Sequence, residues 1–246
     1  MENVLYAYLT PPEFLERIKK APIAYLPLGT LEWHGAHLPL GSDGLQSQGF
    51  FIELAHIAGG IVLPMLFVGP DRTEHKDDNW YYGMDILGFP DGSPGKLAGS
   101  AYHINTDLFE SLLESVLAQL SRAGFKIVVG HGHGPSTNLF KSHADKWGAQ
   151  FGLKLLNCWR EDVKEDDYGI QTDHAGANET SLVMAFHPEL VKMQNLDPNP
   201  DVRPLAVMGN DPRTAASAEL GRKAVDMQLA RMSEILKKEL LSLNNK

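Results

Sequence analysis

Residues 23–66 read IAYLPLGTLEWHGAHLPLGSDGLQSQGFFIELAHIAGGIVLPML. The apolar run Ile23–Leu28 stops at Gly29, as expected of a strand that is buried on both faces and ends where a functional loop begins. From Asp43 to about Ala58 the apolar residues Phe50, Phe51, Leu54 and Ile57 suit a helix. Gly59-Gly60 ends it, and Ile61–Leu66 supplies a second apolar strand. Strand, loop, helix and strand in that order predict a parallel βαβ unit, because two parallel strands can be joined only by a long crossover.

The same grammar extends outward. Upstream, Thr10-Pro11-Pro12-Glu13 offers a hydroxyl cap, proline in the first turn and an acidic residue, followed by Phe14, Leu15 and Ile18 at helical spacing. Downstream, residues 68–103 are rich in Gly, Asp and aromatics without a clean period, which predicts a long irregular connection of the kind that forms lids. Asn105–Ala123 is amphipathic, with Leu108, Leu112, Leu113, Val116 and Leu120 on one face, and Phe125–Val129 is a further strand that runs into Gly130-His131-Gly132-His133-Gly134. A helix over Pro135–Gln150, a strand over Leu153–Asn157, a helix over 177–186 and a final helix from Asp211-Pro212 to about Leu241 complete the pattern. These units predict a single α/β domain over 1–246, with a mainly parallel sheet covered by helices on both faces and its sites at the carboxyl ends of strands.

Bulk composition narrows the partners. Lys and Arg number 22 against 31 Asp and Glu, a net charge of −9 with basic residues scattered, which argues against nucleic acid. No apolar run approaches the roughly 18 residues of a membrane helix, and the opening MENVLYAYLTPPEF lacks the basic then apolar pattern of a leader. Cys158 is the only cysteine, so no internal disulfide forms, and the expected location is the cytoplasm.

Three polar segments carry the chemistry. In Gly29–Asp43 a carboxylate, an imidazole and a second carboxylate, Glu32, His34 and Asp43, supply the mixed oxygen and nitrogen donors that suit zinc, manganese or iron. Glu32 and His34 alternate, so extended chain points both the same way; Asp43 stands where it can use one oxygen on each of two ions or simply cap its helix. His37 reads as a prop behind the ligands. In the second segment glycines flank His131 and His133, letting backbone pass close to an ion. The third, Asp173–Ser181, holds His174, able to move protons near neutral pH, and Glu179 in a first helical turn. A nucleophilic serine at Ser136 or Ser181 lacks the G-x-S-x-G elbow and leaves the acidic residues unexplained.

Together GTLEWHGAHLPLGSD, VGHGHG and HAGANETS, spread over residues 29–181, resemble the creatininase (creatinine amidohydrolase) family. The resemblance implies a three-layer α/β/α fold, commonly a homohexamer, and two divalent ions per subunit. It places Glu32 and His131 on one metal and His34 on the other, with Asp43 bridging. His133 or Glu179 then completes the second site, and His174 matches the catalytic histidine. Val129, Gly132 and Ile170 depart from the family's usual asparagine, aromatic residue and tryptophan. The expected substrate is therefore a small polar cyclic amide or related carbonyl compound other than creatinine, hydrolysed at a C–N bond. The alternatives are C–C cleavage of a cyclic diketone from inositol breakdown, or a metal-stabilised binding protein without catalysis. In the long connection, Arg72, His75, Trp80, Tyr81 and Tyr82 are candidates to close over the substrate.

Overall fold

A computed structural model describes residues 2–159 and 169–244. In chain order the elements are α1 (Pro11–Lys20), β1 (Ile23–Leu28), α2 (Ser42–Ala58), β2 (Ile61–Val62), β3 (Thr73–Lys76), β4 (Asn79–Tyr82), α3 (Met84–Leu87), α4 (Thr106–Ala123), β5 (Ile127–Gly132), α5 (Gly134–Ser142), α6 (Ala144–Phe151), β6 (Lys154–Leu156), α7 (Ala177–Phe186), α8 (Pro212–Ala215) and α9 (Ala218–Asn244).

Strands β2, β1, β5 and β6 form one sheet in that order, and every pairing in it is parallel. Alternation along β1 and β5 sorts their side chains into two cores, as a period of two requires. Ile23, Tyr25, Ile127 and Val129 pack with Phe50, Phe51 and Leu54 of α2, Leu182 of α7, and Ala224, Val225, Met232 and Leu236 of α9. Ala24, Leu26, Leu28 and Val128 pack with Phe109, Leu113 and Leu117 of α4, Phe140 of α5 and Trp147 of α6 on the opposite face. The result is the expected α/β/α sandwich. Each of these large side chains, fully buried, contributes on the order of 2 kcal/mol through the area it removes from water.

Topology selects the site. From β1 the chain crosses over α2 to β2 on one flank, and from β5 it crosses over α5 and α6 to β6 on the other. Connections diverge between adjacent strands β1 and β5, which opens a crevice at their carboxyl ends.

Several elements differ from expectation for local reasons. The strand expected over Ile61–Leu66 is regular only at Ile61–Val62, because Pro64 donates nothing to a ladder; Leu66 returns to β1 as an isolated bridge to Leu28. Strand β5 runs further than expected, through His131 to Gly132, in register opposite Pro27 and Leu28. One expected helix over Pro135–Gln150 is two, broken at His143, and the final helix breaks between α8 and α9 after Asp211 caps the first through Arg213 N–H at 2.9 Å. Ile57, Leu15 and Leu108 are solvent-exposed, at 60%, 63% and 55%. The buried stripe of α4 is instead Phe109, Leu113, Leu117 and Leu120. Part of the connection 68–103 is regular: β3 and β4 make an antiparallel hairpin, followed by the short α3. The polar connection before α7 falls partly outside the described residues.

Candidate metal centre

The segment after β1 is held in place by backbone bonds from Glu32 N–H to Leu40 O (3.0 Å) and from Gly35 N–H to Ala206 O (2.9 Å). His34 is completely buried, with Nδ1 3.1 Å from the Glu32 carbonyl oxygen. A carbonyl only accepts, so Nδ1 carries a proton and Nε2 is the nitrogen left to face an ion. That Nε2 lies 3.3 Å from Asp43 Oδ2 and 3.7 Å from Glu179 Oε2. Asp43, at the start of α2, has its other oxygen occupied by the Gln171 amide at 2.9 Å. Glu179 is fixed by the Ala175 N–H donating to Oε2 at 2.7 Å. Ala175 and Gln171 both adopt positive φ, 54° and 53°, a conformation that costs an ordinary residue energy and persists where surrounding structure imposes it.

Across the crevice, His133 follows directly on β5. Its Nδ1 meets Ser136 Oγ at 2.9 Å, and its Nε2 lies 3.5 Å from Glu32 Oε1 and 3.4 Å from Asp71 Oδ2. The Tyr102 hydroxyl lies between both carboxylates, 3.2 Å from Glu32 Oε2 and 2.5 Å from Asp71 Oδ2, and gives its one proton to the nearer. Ligand-type atoms thus gather within 4.8 Å of one another as His34, Asp43 and Glu179, as Glu32, Asp71 and His133, and as Glu32, His34 and His174. The His174 ring stacks on His34 at 4.3 Å, and its Nε2 is 2.7 Å from the Trp33 carbonyl oxygen, which leaves Nδ1 unprotonated.

Without a cation these groups are electrostatically frustrated. Burial lifts the Glu32 carboxyl to about 7 against the pull of His133 and His34. Burial, with Asp43 beside it, raises Glu179 well above the ordinary range. Burial opposes the charged form of His34, but Asp43 and Glu179 outweigh it and bring the imidazole to about 10. Burial works equally against ionised Asp43, yet the His34 charge holds it below the usual carboxylate range. His174 is driven down to about 3 by burial and by His34, so it is a neutral base. His34 Nε2 and Asp43 Oδ2 are buried with no hydrogen-bond partner. The His–carboxylate separations of 3.3–3.5 Å exceed the roughly 2.7–2.9 Å of a charge-assisted hydrogen bond and match the edge of a tetrahedron with bonds of about 2.0–2.1 Å. The donor set fits divalent ions.

A family profile described as "Creatininase: Creatinine amidohydrolase" matches residues 7–236. The chain belongs to the creatininase family. A creatinine amidohydrolase of Pseudomonas putida is 25% identical over 242 residues, covering 89% of this chain and 86% of that protein. Among solved structures, one described as creatinine amidohydrolase (creatininase) superposes with a TM-score of 0.73 at 19% identity, covering 97% of this chain and 98% of that one. A manganese form, "Creatininase Mn", gives 0.73 at 19% identity over 97% and 99%. A mutant creatininase of "Zn-Zn type" gives 0.72 at 19% over 97% and 99%. At these identities the structural likeness shows the creatininase fold. The family membership makes this chain an enzyme of the metal-dependent amidohydrolase type.

Creatininase motifs are distributed over the site as follows. Glu32, His34, Asp43, His133, His174 and Glu179 meet at one pocket or in its wall. His131 belongs to none of the ligand groupings among the described residues: alternation in β5 turns it to the side of Ile127 and Val129. It is fully buried and edge-on to Trp159 at 5.7 Å. His37 stands behind this cluster, with Nε2 on Thr180 Oγ1 at 2.8 Å. Asp71 and Tyr102 were not singled out by sequence. Both sit in the connection with no clear period, where only their burial in three dimensions marks them. Of that connection, Asp71, Gly83, Met84 and Leu87 line the pocket, whereas Arg72, His75, Trp80, Tyr81 and Tyr82 do not. Ile170 is 2% exposed in the core and Gly132 forms part of the pocket wall.

Proposed function

We propose that this chain hydrolyses the C–N bond of a small, polar cyclic amide or related carbonyl compound, with two divalent ions in the crevice between β1 and β5. In this reading Glu32 and His133 hold one ion, His34 and Glu179 the other, and Asp43 lies between them. The place that the sequence resemblance gave to His131 passes to His133, whose Nε2 faces Glu32. The observation that carries the proposal is His174: a neutral imidazole stacked on a ligand histidine, oriented by the Trp33 carbonyl, in the wall of the same pocket.

The bound ions would supply water acidified toward neutral pH and a Lewis acid toward the carbonyl under attack. The chain's own residues do the rest. His174, with Nε2–H committed to Trp33, takes a proton at Nδ1 and returns it to the departing nitrogen. Glu179 is held by Ala175 N–H within 3.7 Å of His34, so its carboxylate cannot swing away. Gly134 lines the pocket and has nothing within 4 Å of where a Cβ would stand, which leaves room for substrate. The pocket is about 210 Å³, the space of about seven waters at ~30 Å³ each, and suits a compact ring. Glu32, Asp43, Asp71, Asp173 and Glu179 line it, with no Lys or Arg among the described residues, so the pocket's negative charge is what the two ions would offset.

Apolar Met84, Leu87, Pro135 and Met208 in the wall support a substrate other than creatinine. The cyclic-diketone reading uses the same pocket, with His174 returning the proton to carbon. A homo-oligomer, as the resemblance implies, is part of the proposal. The test is turnover by zinc- or manganese-loaded protein on a panel of cyclic amides and cyclic diketones, with metal-free protein beside it. Metal-dependent hydrolysis of a cyclic amide supports the reading, hydrolysis confined to diketones moves it to C–C cleavage, and tight metal with no turnover on either class removes it.

A further inference from the structure

Asp71 opens the connection between β2 and α4, far in sequence from every motif described above, yet its side chain is only 11% exposed. Its carboxylate is fixed from three directions. The Arg72 N–H donates to Oδ1 at 2.6 Å, the Tyr102 hydroxyl donates to Oδ2, and Gly83 passes so close that a Cβ there would fall 2.4 Å from Oδ2. So held, it faces the Glu32 carboxylate through one shared hydroxyl and His133 through 3.4 Å of space.

Two carboxylates bridged by one neutral hydroxyl and one imidazole repel each other unless a cation lies among them. Among the described residues no Lys or Arg lines this pocket. The three ligand atoms lie within 4.8 Å of one another, and each His133 to carboxylate distance is too long for a strong hydrogen bond and right for two ligands sharing an ion.

We propose that Asp71 is a ligand of the ion held by Glu32 and His133, which makes the connection 68–103 part of the metal centre. The inference rests on the two-ion reading above and adds a ligand from outside the three motifs. It has a structural consequence. The same connection contributes Gly83, Met84 and Leu87 to the pocket wall, so loading this ion also sets the wall against which substrate packs.

The experiment compares wild type with Asp71→Asn and Asp71→Glu, each stripped of metal and titrated with zinc by calorimetry, then loaded with cobalt for visible absorption. Wild type is expected to bind two zinc ions. Asp71→Asn should bind one of them at least about tenfold more weakly, the least expected even of a residue that only supports a ligand, while the second site stays unchanged. The cobalt bands of the weakened site should change with its ligand number, and Asp71→Glu should restore most of the affinity. Amide exchange in 71–103 should slow on zinc loading in wild type and not in Asp71→Asn. Thermal unfolding of the metal-free variants controls for folding, and if Asp71→Asn does not fold, Tyr102→Phe, which frees the Asp71 carboxylate, must weaken the same single site. Wild-type zinc affinity and cobalt bands in folded Asp71→Asn, or in Tyr102→Phe where that variant stands in for it, overturn the assignment of Asp71 alone. Failure of wild type to take up zinc or cobalt overturns the two-ion reading with it.

Discussion

His34 Nε2 and Asp43 Oδ2 lie 3.3 Å apart in the interior, and neither has a hydrogen-bond partner. A buried polar atom left without a partner costs about 1–3 kcal/mol, so the metal-free state carries a standing penalty that a divalent ion removes. Zinc or manganese at about 100 times Kd should therefore stabilise the fold by ~2.7 kcal/mol, which for a chain of this size raises Tm by about 5–10 °C. Thermal scans with metal and with excess chelator check this, and superimposable curves would refute a metal role for the pair.

His174 touches the ligands only by stacking, so its loss should separate binding from chemistry. Replacing it with alanine is expected to leave metal content and Tm near wild type while kcat falls by about 10²–10⁴. Metal analysis beside steady-state kinetics on whichever substrate the panel identifies makes the comparison; undiminished kcat would remove the histidine from the mechanism.

Gly132 separates His131 of β5 from His133 just beyond it, with φ of +145°. A Cβ there would stand 1.9 Å from Leu28 O and 2.7 Å from Ser47 Oγ. Gly132→Ala must push β5 from β1 at the level of the ligands, so a loss of stability above about 3 kcal/mol is expected, with metal affinity falling in parallel. Denaturant unfolding monitored beside zinc binding tests it, and a variant within ~1 kcal/mol of wild type would show that the two strands give way easily.

His37 gives the fold a pH dependence apart from the ligands. Burial, with the neighbouring His34 charge, lowers it from its ordinary value near 6.5 to about 4. Below pH 6.5 the unfolded chain takes up a proton that the folded chain refuses, so stability is complete above that pH and lost as pH falls through 4. The full effect is on the order of 3 kcal/mol. In chelated protein, His37→Gln should flatten the slope of unfolding free energy between pH 6.5 and 4 by this share; an unaltered slope would mean that the imidazole is already protonated in the folded state.

Much of the fold was legible because its strands are short and wholly apolar and its helices carry recognisable starts and stops. Ile23–Leu28 ending at Gly29, Thr10 before two prolines and Asn105 before α4 each announce themselves within a few residues. Breaks inside helices were less legible. Nothing in the apolar spacing around His143 or Ala216 marks an interruption, because packing of the flanking segments imposes it. At the site, the residue types were readable and their partners were not. A G-H-G-H-G run does not say where strand β5 stops, and that end decides whether His131 or His133 reaches Glu32. Asp71 was invisible for a related reason: it lies in a stretch without period, and its value comes from Tyr102 and Gly83, which fold beside it.

The strand order has a consequence for biosynthesis. Glu32 and Asp43 leave the ribosome early, His133 follows only after β5, and Glu179 emerges when nearly three quarters of the chain has been made. With its ligands dealt out over that interval, a nascent chain has no complete cage to offer a passing cation. An ion bound as proposed would therefore be taken up late, once Glu179 has joined the carboxylates made long before it.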